Sequence, residues 1–363
     1  MQIKNAKFLC MSQKSSTFAA EMVCQDVHKA LAPWLKRYEQ VCVVRTEGVK
    51  ELKSEGIQEL VLSTSESTKS IETVQRIWDF LFAQEMTRRG LLIAVGGGVL
   101  TDLAGFAAAT YKRGIDYINI PTTLLAMVDA SSGGKTGINY HGLKNSIGVF
   151  ATPVETIIDT HWLTTLPTQE LLSGFGEMLK TGLIENTDRF TDRTQNTDRL
   201  WDRLMQYDLD TMPLDTLAPL IKQCVAVKEH IVQEDPREEG LRKVLNFGHT
   251  IGHALEEISL GTMPHGFAVV YGLIAELYLS VVKMGCPKEP LQQLTQIMLH
   301  YYGKPQCKCS DRNQLIAFMQ QDKKNERTDQ INCTLIRQVG EPVVNQTVTT
   351  EEAQEALDYL FSL

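Results

Sequence analysis

Two histidines stand four positions apart in the segment NFGHTIGHA, at His249 and His253. Residues with this spacing lie on one face of an α-helix, so both imidazoles can face one pocket. His265, in MPHGF, and Glu177, in SGFGEMLK, add further ligand-type atoms. Zinc commonly binds imidazole nitrogen and carboxylate oxygen and keeps one coordination position open for substrate. A satisfied core histidine is the commoner explanation for each residue alone, but their joint occurrence favours a site for a metal or an anion.

A buried strand followed by glycines is the second feature with chemical potential. The apolar run Leu91–Val95 precedes the glycines at 96–98, and Thr101-Asp102 follow. Glycines there let backbone amides approach a pyrophosphate, and a helix N-terminus adds donors and partial positive charge. We expect Thr101-Asp102 to open this helix by side-chain capping. Because GGG departs from GxGxxG spacing, a plain tight turn remains an equal alternative.

A second glycine-rich stretch covers residues 121–137, PTTLLAMVDASSGGKTG. Its hydroxyl groups, its flexible backbone and Lys135 after two glycines fit phosphate binding. The segment GGKT lacks the first glycine of a Walker loop at the required spacing, which excludes an ATPase assignment. Lys144-Asn145 follow nearby, and a purely structural loop is the alternative for that pair.

Basic residues recur beside these motifs. Most surface lysines are merely solvated, but near a metal they would focus positive potential and attract a phosphate or a carboxylate. The basic candidates are Arg113, Lys180, Lys228, Arg242 and the pair Lys323-Lys324.

Composition narrows the classes of partner. The formal net charge of −8 argues against a nucleic-acid partner, which needs clustered basic surface. With 43% hydrophobic and 22% charged residues the chain resembles a soluble globular protein, and no window approaches the ~20 uninterrupted apolar residues of a membrane span. The eight cysteines are scattered, and the first residues lack an export signal, so we expect reduced thiols and a cytoplasmic location.

The first part of the chain alternates short apolar runs with helix-like stretches. We predict strands at 39–46, 58–63, 91–95, 116–120 and 154–159, and helices at Lys69–Arg89 and Asp102–Ala109. Such alternation indicates an α/β domain with a mostly parallel sheet. We therefore assign residues 1–165 to a nucleotide-binding α/β domain.

Beyond Leu166-Pro167 the period becomes helical, and we assign residues 166–363 to a predominantly α-helical metal- and substrate-binding domain. The predicted helices are Gln169–Glu185, Leu214–Gln233, His249–Ile258 and Phe267–Met284. The polar stretch Asn186–Asp202 is predicted to be a solvated loop or surface helix, without functional weight.

Taken together, these motifs resemble the 3-dehydroquinate synthase family of sugar phosphate cyclases. The resemblance runs from about Glu66 to Lys324. It is carried by six ordered segments, GGGVLTDLAGF (96–106), RGIDYINIPTTLLAMVDASSGGKTGIN (113–139), LKN (143–145), LTTLPTQELLSGFGEMLK (163–180), EEGLRKVLNFGHTIGHALE (238–256) and PHGFAVVYG (264–272). Several long matches in order make chance agreement unreasonable.

The resemblance implies a role for each matching residue. NAD would be surrounded by Glu66, Lys69, Gly98, Val99, Leu100, Thr101, Asp102, Thr122, Thr123, Lys135, Lys144, Trp162, Leu163, Thr164 and Thr165. A divalent metal, zinc first and cobalt as an alternative, would be held by Glu177, His249 and His265. Catalytic roles would belong to Lys135, Lys180, Lys228, Arg242, Asn246 and His253. Substrate binding would fall to Arg113, Asp129, Asn145, Lys323 and Lys324, with the choice between the last two left open.

The chain departs from the family pattern at three places. Ser65 replaces the glycine that precedes the cofactor-side glutamate, Thr46-Glu47 stand where an aspartate would contact the adenosine ribose, and Leu143 replaces the glycine before Lys144-Asn145. The adenosine contacts are therefore the weakest inference from the resemblance.

The family reaction would convert a phosphorylated sugar acid, 3-deoxy-D-arabino-heptulosonate 7-phosphate, to 3-dehydroquinate by transient oxidation, phosphate elimination, reduction and aldol closure. In it NAD is regenerated in every turnover, the metal stabilises an alkoxide, and either His253 or the substrate phosphate moves a proton. A homodimer is also implied. The alternatives are another sugar phosphate cyclase, a metal-dependent polyol dehydrogenase that releases NADH, and an NAD-binding regulatory protein without catalysis.

Overall fold

The computed structural model describes residues 23–24, 26–52, 56–186, 199–307, 309–321 and 330–363. Lys323 and Lys324 lie outside the described residues, as does most of the polar stretch that begins at Asn186. Its described end holds a short helix, α5 (Leu200–Met205).

Five parallel strands form the central sheet, in the order β3-β2-β4-β5-β8. They are β2 (Val41–Thr46), β3 (Gln58–Leu62), β4 (Leu91–Gly96), β5 (Asp116–Pro121) and β8 (Glu155–Thr156), while β1 (Val23–Cys24) pairs separately with β9 (Ile158–Asp159). Every residue of β4 is buried, as a central strand covered on both faces requires. The prediction of a mostly parallel α/β fold is confirmed.

Helices cover both faces of this sheet. One face packs against α2 (Ile71–Ala83) and α3 (Gly98–Thr110), and the other against α1 (Val27–Arg37). The α3 helix lies close to the sheet because its sequence is largely alanine, glycine and leucine, and eight of its residues are buried. A Cβ at Gly96 would meet the Thr46 hydroxyl at 2.3 Å, so the end of β4 must be a glycine.

The structure corrects the expected start of α3. The helix begins at Gly98, with Gly97 as its N-cap, rather than at Thr101-Asp102. The Gly97 carbonyl accepts hydrogen bonds from the amides of Leu100 and Thr101, so the first turn forms from backbone alone. The first amides of α3 therefore face the glycine turn without intrahelical acceptors.

An antiparallel hairpin within the first part of the chain was not predicted. It pairs β6 (Lys135–Tyr140) with β7 (Leu143–Phe150), and it contains Lys135, Lys144 and Asn145. All eight residues of β7 are exposed. The sequence gives little sign of this hairpin, because strand pairing across a two-residue turn leaves little apolar periodicity when one strand faces solvent.

Helices dominate the second half, as predicted. The long ones are α4 (Thr168–Ile184), α6 (Ala218–Glu234), α7 (His249–Ile258) and α8 (His265–Met284), followed by α9 (Glu289–Ile297), α10 (Arg312–Gln320) and α11 (Thr350–Ser362). A hairpin of β10 (Ile331–Ile336) and β11 (Pro342–Val348) was not predicted. The division into domains at residue 165 stays a prediction, and the largest apolar cluster takes residues from both sides of it, such as Met127 and Phe175.

Helix α8 is the longest, and it is central to the second half. Among the described residues it alone is long and apolar enough to cross a membrane, but 67% of its apolar window is buried inside the protein. It packs against α4, α7 and α11, as the core helix of a helical domain does. Its first residue is His265, which places this side chain at the edge of the core.

Candidate active site

Three ligand-type side chains from separate helices converge on one point. Glu177 comes from the middle of α4, His249 is the first residue of α7, and His265 is the first residue of α8. One ligand atom from each lies within 4.8 Å of the other two. His249 Nε2 is 3.4 Å and His265 Nε2 is 3.1 Å from Oε1 of Glu177, whose side chain is 1% exposed. Two imidazole nitrogens and a carboxylate oxygen form the donor set of a catalytic zinc site.

A hydrogen bond at Nδ1 of each ring orients both imidazoles toward this point. Nδ1 of His249 lies 3.1 Å from the carbonyl oxygen of Phe247, to which it donates. Nδ1 of His265 lies 3.2 Å from Oε2 of Glu256 and donates to that carboxylate. Donation through Nδ1 leaves the Nε2 lone pair of each ring for a metal ion.

Burial and neighbouring charges shift the pKa of each of the three converging residues. Burial raises the pKa of Glu177, but the charge of Lys180 and the contacts with His249 outweigh it and hold the pKa well below its usual range. Burial and the charge of Lys180 lower the pKa of His249 to about 4. Burial also lowers the pKa of His265, but hydrogen bonds to Glu177 and Glu256 raise it to about 10. Since only a neutral imidazole binds a metal ion, binding here would release the His265 proton.

Two buried lysines lie beside the cluster. Lys180, one turn after Glu177 on α4, has its ammonium against Oε2 of Glu177 and 3.8 Å from Oδ1 of Asp129. Lys228 of α6 donates to the same Asp129 oxygen at 2.7 Å. Burial raises the pKa of Asp129, but the charges of Lys228 and Lys180 outweigh it, so the pKa is lowered. These contacts place two positive charges beside the cluster of Glu177, His249 and His265.

A carboxylate that the sequence analysis did not assign organises the next group. Glu238 forms an ion pair with Lys135 and accepts a hydrogen bond from Nδ2 of Asn246 at 2.8 Å. Its φ of 62° lies in the left-handed region, which is uncommon for a glutamate and is typical of constrained sites. No spacing rule identifies Glu238, because it lies in a loop and its partners come from β6 and a short helix, Leu241–Asn246.

Arg242 belongs to the same region and is 3% exposed. Its guanidinium donates to the carbonyl oxygens of Pro236, at 2.8 Å, and Gly133, at 3.0 Å. A Cβ at Gly133 would lie 2.7 Å from the Arg242 guanidinium, and the φ of +96° also requires glycine there. Because an arginine has five N–H donors, two backbone contacts leave donors for a ligand.

His253 lies one turn beyond His249 on α7 and is exposed. Its ring centroid is 5.4 Å from that of His249 and 6.4 Å from that of His265. It therefore lies next to the three converging residues but outside their compact group. This geometry agrees with the assignment of His253 to the substrate rather than to the metal, which stays a prediction.

The cofactor candidates collect at the carboxyl end of the sheet. Lys69, 5% exposed, donates to Oδ2 of Asp102 and to Oδ1 of Asn145. Glu66 accepts from Nδ2 of Asn139 at 2.7 Å, which attaches the hairpin β6–β7 to the end of β3. Asn145 was expected at the substrate. It instead contacts the cofactor candidate Lys69 directly, and through Lys69 it is linked to Asp102.

Other cofactor candidates are placed by backbone rather than by side chain. Gly98, Val99, Leu100 and Thr101 form the first turn of α3, and Thr122 and Thr123 follow β5. Trp162, Leu163, Thr164 and Thr165 lie in a short helix that follows β9. Leu100 is 0% and Leu163 1% exposed, so neither side chain is available to a nucleotide.

Arg113 stands apart from these groups. It is exposed and lies before the amino end of β5, whereas the glycine turn follows the carboxyl end of the neighbouring strand β4. Within the part of the chain that the structure describes, no hydrogen bond or ion pair joins Arg113 to another candidate. The side chains of Lys323 and Lys324 belong to residues that are not described.

Two further carboxylates were missed by the sequence analysis. Glu276 of α8, 0% exposed, accepts hydrogen bonds from the amide of Gly248 at 2.7 Å and from that of Ile251 at 3.4 Å. It thereby supports the start of α7, where His249 lies. Glu256 lies seven residues after His249 and three after His253. This helical spacing places it on the same face of α7 and could have identified it as a site residue.

Two family models and a curated relative match most of the chain. The models described as 3-dehydroquinate synthase N-terminal and 3-dehydroquinate synthase C-terminal match residues 59–173 and 174–325. A 3-dehydroquinate synthase from Parabacteroides distasonis is 41% identical over 352 residues, which cover 93% of this chain and 96% of that protein.

Solved structures share the fold over nearly the whole length. A 2-deoxy-scyllo-inosose synthase complexed with carbaglucose-6-phosphate, NAD+ and Co2+ has a TM-score of 0.79 at 22% identity, over 92% of this chain and 95% of the other. That likeness shows the fold alone. A 2-epi-5-epi-valiolone synthase from Streptomyces hygroscopicus subsp. jinggangensis 5008, with NAD+ and Zn2+ bound, has a TM-score of 0.75 at 26% identity, over 100% and 99% of the two chains.

Proposed function

The chain belongs to the 3-dehydroquinate synthase family, and from that premise we propose how its residues carry out the reaction of the family. The reaction converts 3-deoxy-D-arabino-heptulosonate 7-phosphate to 3-dehydroquinate and phosphate, a step of the shikimate pathway to aromatic amino acids. The enzyme is a carbon–oxygen lyase that uses NAD and a divalent metal. The convergence of Glu177, His249 and His265 is the observation that supports this function most directly.

These three residues fit a divalent ion by their chemistry. Oε2 of Glu177 is buried against the ammonium of Lys180, while both rings present Nε2 to Oε1 of the same carboxylate. Three protein ligands leave a coordination position for a substrate oxygen. A bound zinc or cobalt ion would supply positive charge that stabilises an alkoxide. We propose His249, His265 and Glu177 as the full set of protein ligands.

The buried and partly buried cationic residues complement the negative charges of the substrate carboxylate and phosphate. Lys180, Lys228 and Arg242 are all at most 6% exposed, and Lys135 is held by Glu238. In a chain of net charge −8, such a local concentration of positive charge attracts a carboxylate and a phosphate. We assign the Arg242 guanidinium to the carboxylate because it can form paired charge-assisted hydrogen bonds.

His253 has the position of a group that contacts substrate. It is exposed beside the three converging residues, and an imidazole can serve as a general acid or base. We propose that it holds or moves a proton at the reacting centre, while the substrate phosphate remains the alternative acceptor during elimination.

The nucleotide is assigned to the carboxyl end of the sheet. The first amides of α3 point toward the glycine turn, where they can receive a pyrophosphate. A nucleotide bound there would supply reversible hydride transfer. The pair Lys69–Asp102 and the hairpin residues Lys144 and Asn145 border this end.

The rival activities predict different products. A polyol dehydrogenase would release one NADH for each product, and a regulatory protein would release no phosphate. Incubation with the heptulosonate phosphate, catalytic NAD+ and zinc should yield phosphate and dehydroquinate in equal amounts, in excess of the NAD+ and without accumulating NADH. NADH formed one-for-one with product would contradict the proposal, and activity only on another sugar phosphate would indicate a different cyclase.

We also propose that two copies associate through the hairpin β6–β7. The exposed apolar side chains of β7 are Leu143, Ile147, Val149 and Phe150, between 37% and 62% exposed. Across the described residues β7 pairs with β6 alone, so its outer edge is open. A second copy related by a twofold axis would cover both the edge and the apolar side chains. A cytoplasmic location, the domain division at residue 165, and a phosphate contact from Arg113 or from Lys323 or Lys324 remain proposals.

A further inference from the structure

Glu256 contacts a residue on the metal side of the candidate site and a residue on its nucleotide side. It lies on α7, and its side chain is 11% exposed. Its Oε2 accepts from Nδ1 of His265 at 3.2 Å, and its Oε1 accepts from Nζ of Lys144 at 3.2 Å. Each oxygen therefore has a different partner, and the partners come from α8 and from the hairpin β6–β7.

The contact with His265 has a chemical consequence. By accepting the Nδ1 proton, Glu256 fixes the ring so that Nε2 points at Oε1 of Glu177, 3.1 Å away. A carboxylate in this position also makes the imidazole a stronger ligand than a neutral acceptor would. Loss of such a partner typically weakens metal binding about 10- to 100-fold.

The contact with Lys144 extends the connection to the nucleotide side. Lys144 is followed by Asn145, whose side chain accepts from Lys69, and Lys69 also donates to Asp102 at the start of α3. One set of polar contacts thus joins Asp102 of α3 to Asn145, a second joins Lys144 to the imidazole of His265, and the backbone between Lys144 and Asn145 links the two sets. The side chain of Lys144 is 48% exposed, so Glu256 is the contact that holds it toward α7.

We infer that Glu256 is a positioning residue that couples nucleotide binding to metal binding. This inference rests on the proposed function for both sites. A nucleotide that orders the hairpin would hold Lys144 on Glu256, and Glu256 would then hold His265 in its metal-binding orientation. Coupling of this kind is reciprocal, so bound metal would strengthen nucleotide binding by the same factor.

The test compares zinc affinity, by competition with a chromogenic chelator, in full-length protein with and without saturating NAD+. In the wild type we expect NAD+ to strengthen zinc binding about fivefold or more. Glu256→Gln keeps one oxygen acceptor but cannot serve both partners, and should weaken zinc binding about tenfold, whereas Glu256→Ala should weaken it more. Both should abolish the effect of NAD+. Lys144→Met should keep the zinc affinity measured without NAD+ and lose the coupling, with the NAD+ affinity of the variant measured so that NAD+ is saturating.

The matched control is Glu257→Gln, the same change at the adjacent exposed position, which should behave as the wild type. Thermal unfolding in chelator should agree among the variants, and the visible spectrum of the Co2+ form should change in Glu256→Ala but not in Glu257→Gln. Wild-type zinc affinity or intact coupling in Glu256→Gln would overturn this inference alone. A wild-type chain that binds no divalent ion would overturn the proposed metal site and this inference with it.

Discussion

Nε2 of His265 lies 3.1 Å from Oε1 of Glu177, although 88 residues separate them along the chain. Nε2 of His249 approaches the same oxygen to 3.4 Å, so one carboxylate oxygen is shared by two imidazoles. Each residue is anchored by a different helix, which makes the cluster a product of helix packing rather than of local sequence. We therefore expect substitution of any one of these residues to disturb the site without unfolding the helices that carry the other two.

We expect His249→Ala and His265→Ala to lose bound metal, whereas His253→Ala should keep metal and lose turnover. The first two remove a nitrogen from the converging group, while His253 lies outside it. Metal content after dialysis, measured beside activity, distinguishes the roles. A metal-free His253→Ala protein together with a metal-replete His265→Ala protein would reverse the assignment.

Arg242→Ala should weaken a carboxylated substrate by about 2 kcal/mol, or roughly 30-fold, because it removes a charged hydrogen-bond partner. The affinity for NAD+ should change little. Arg242 also donates to the Gly133 and Pro236 carbonyls, so thermal unfolding must be followed in parallel. Arg242→Lys is the companion variant, since it keeps the charge without the planar fork and should recover only part of the affinity. Equal losses for NAD+ and substrate would contradict a local role.

The ionisation of Glu229 should lower the free energy of unfolding as the pH rises. Burial, followed by the charge of Glu155, raises the pKa of Glu229 from 4.5 to about 7. Between these values the folded chain holds a proton that the unfolded chain has lost, so stability falls as pH rises from about 4.5 to 7 and stays lower above it.

Glu229→Gln should therefore raise the free energy of unfolding at pH 8 by about 1–2 kcal/mol, discounted for partial exposure, and should change little at pH 4. Urea unfolding at the two pH values measures the difference. Glu355→Gln, at an exposed position, makes the same change of charge and should show no such pH dependence. Equal effects of Glu229→Gln at both pH values would contradict the pKa argument.

Ile147→Lys should convert a dimer to a monomer, because it puts an unpaired charge on the apolar face of the hairpin. Loss of a central apolar contact together with burial of the charge should raise the dissociation constant at least about 100-fold. Sedimentation velocity over a concentration series measures it. Val282→Lys, at an aliphatic position of α8 that is 57% exposed, is the control and should leave the assembly unchanged. A wild-type monomer, or an Ile147→Lys dimer of normal stability, would remove the support for this interface.

The local sequence pattern was sufficient to predict the strands and helices whose residues are buried at a regular period. The strand runs around Leu91–Val95 and the helix that begins at His249 were found where they were predicted, because a buried strand and an amphipathic helix impose their periods on the residues themselves. The resemblance of the ordered motifs to one family was confirmed as well. These features depend on neighbours in sequence, and the sequence carries them directly.

Contacts between distant segments had no such local signal. The partners of Glu238, which are Lys135 and Asn246, and the contacts of Glu276 with the start of α7, depend on how loops and helices pack. Likewise, helical spacing placed His249 and His253 on one face, but the packing of α4 and α8 brought Glu177 and His265 to His249 and left His253 outside the compact group. A spacing of four fixes direction around one helix axis, whereas the approach of atoms from three helices is set by the shape of the core between them.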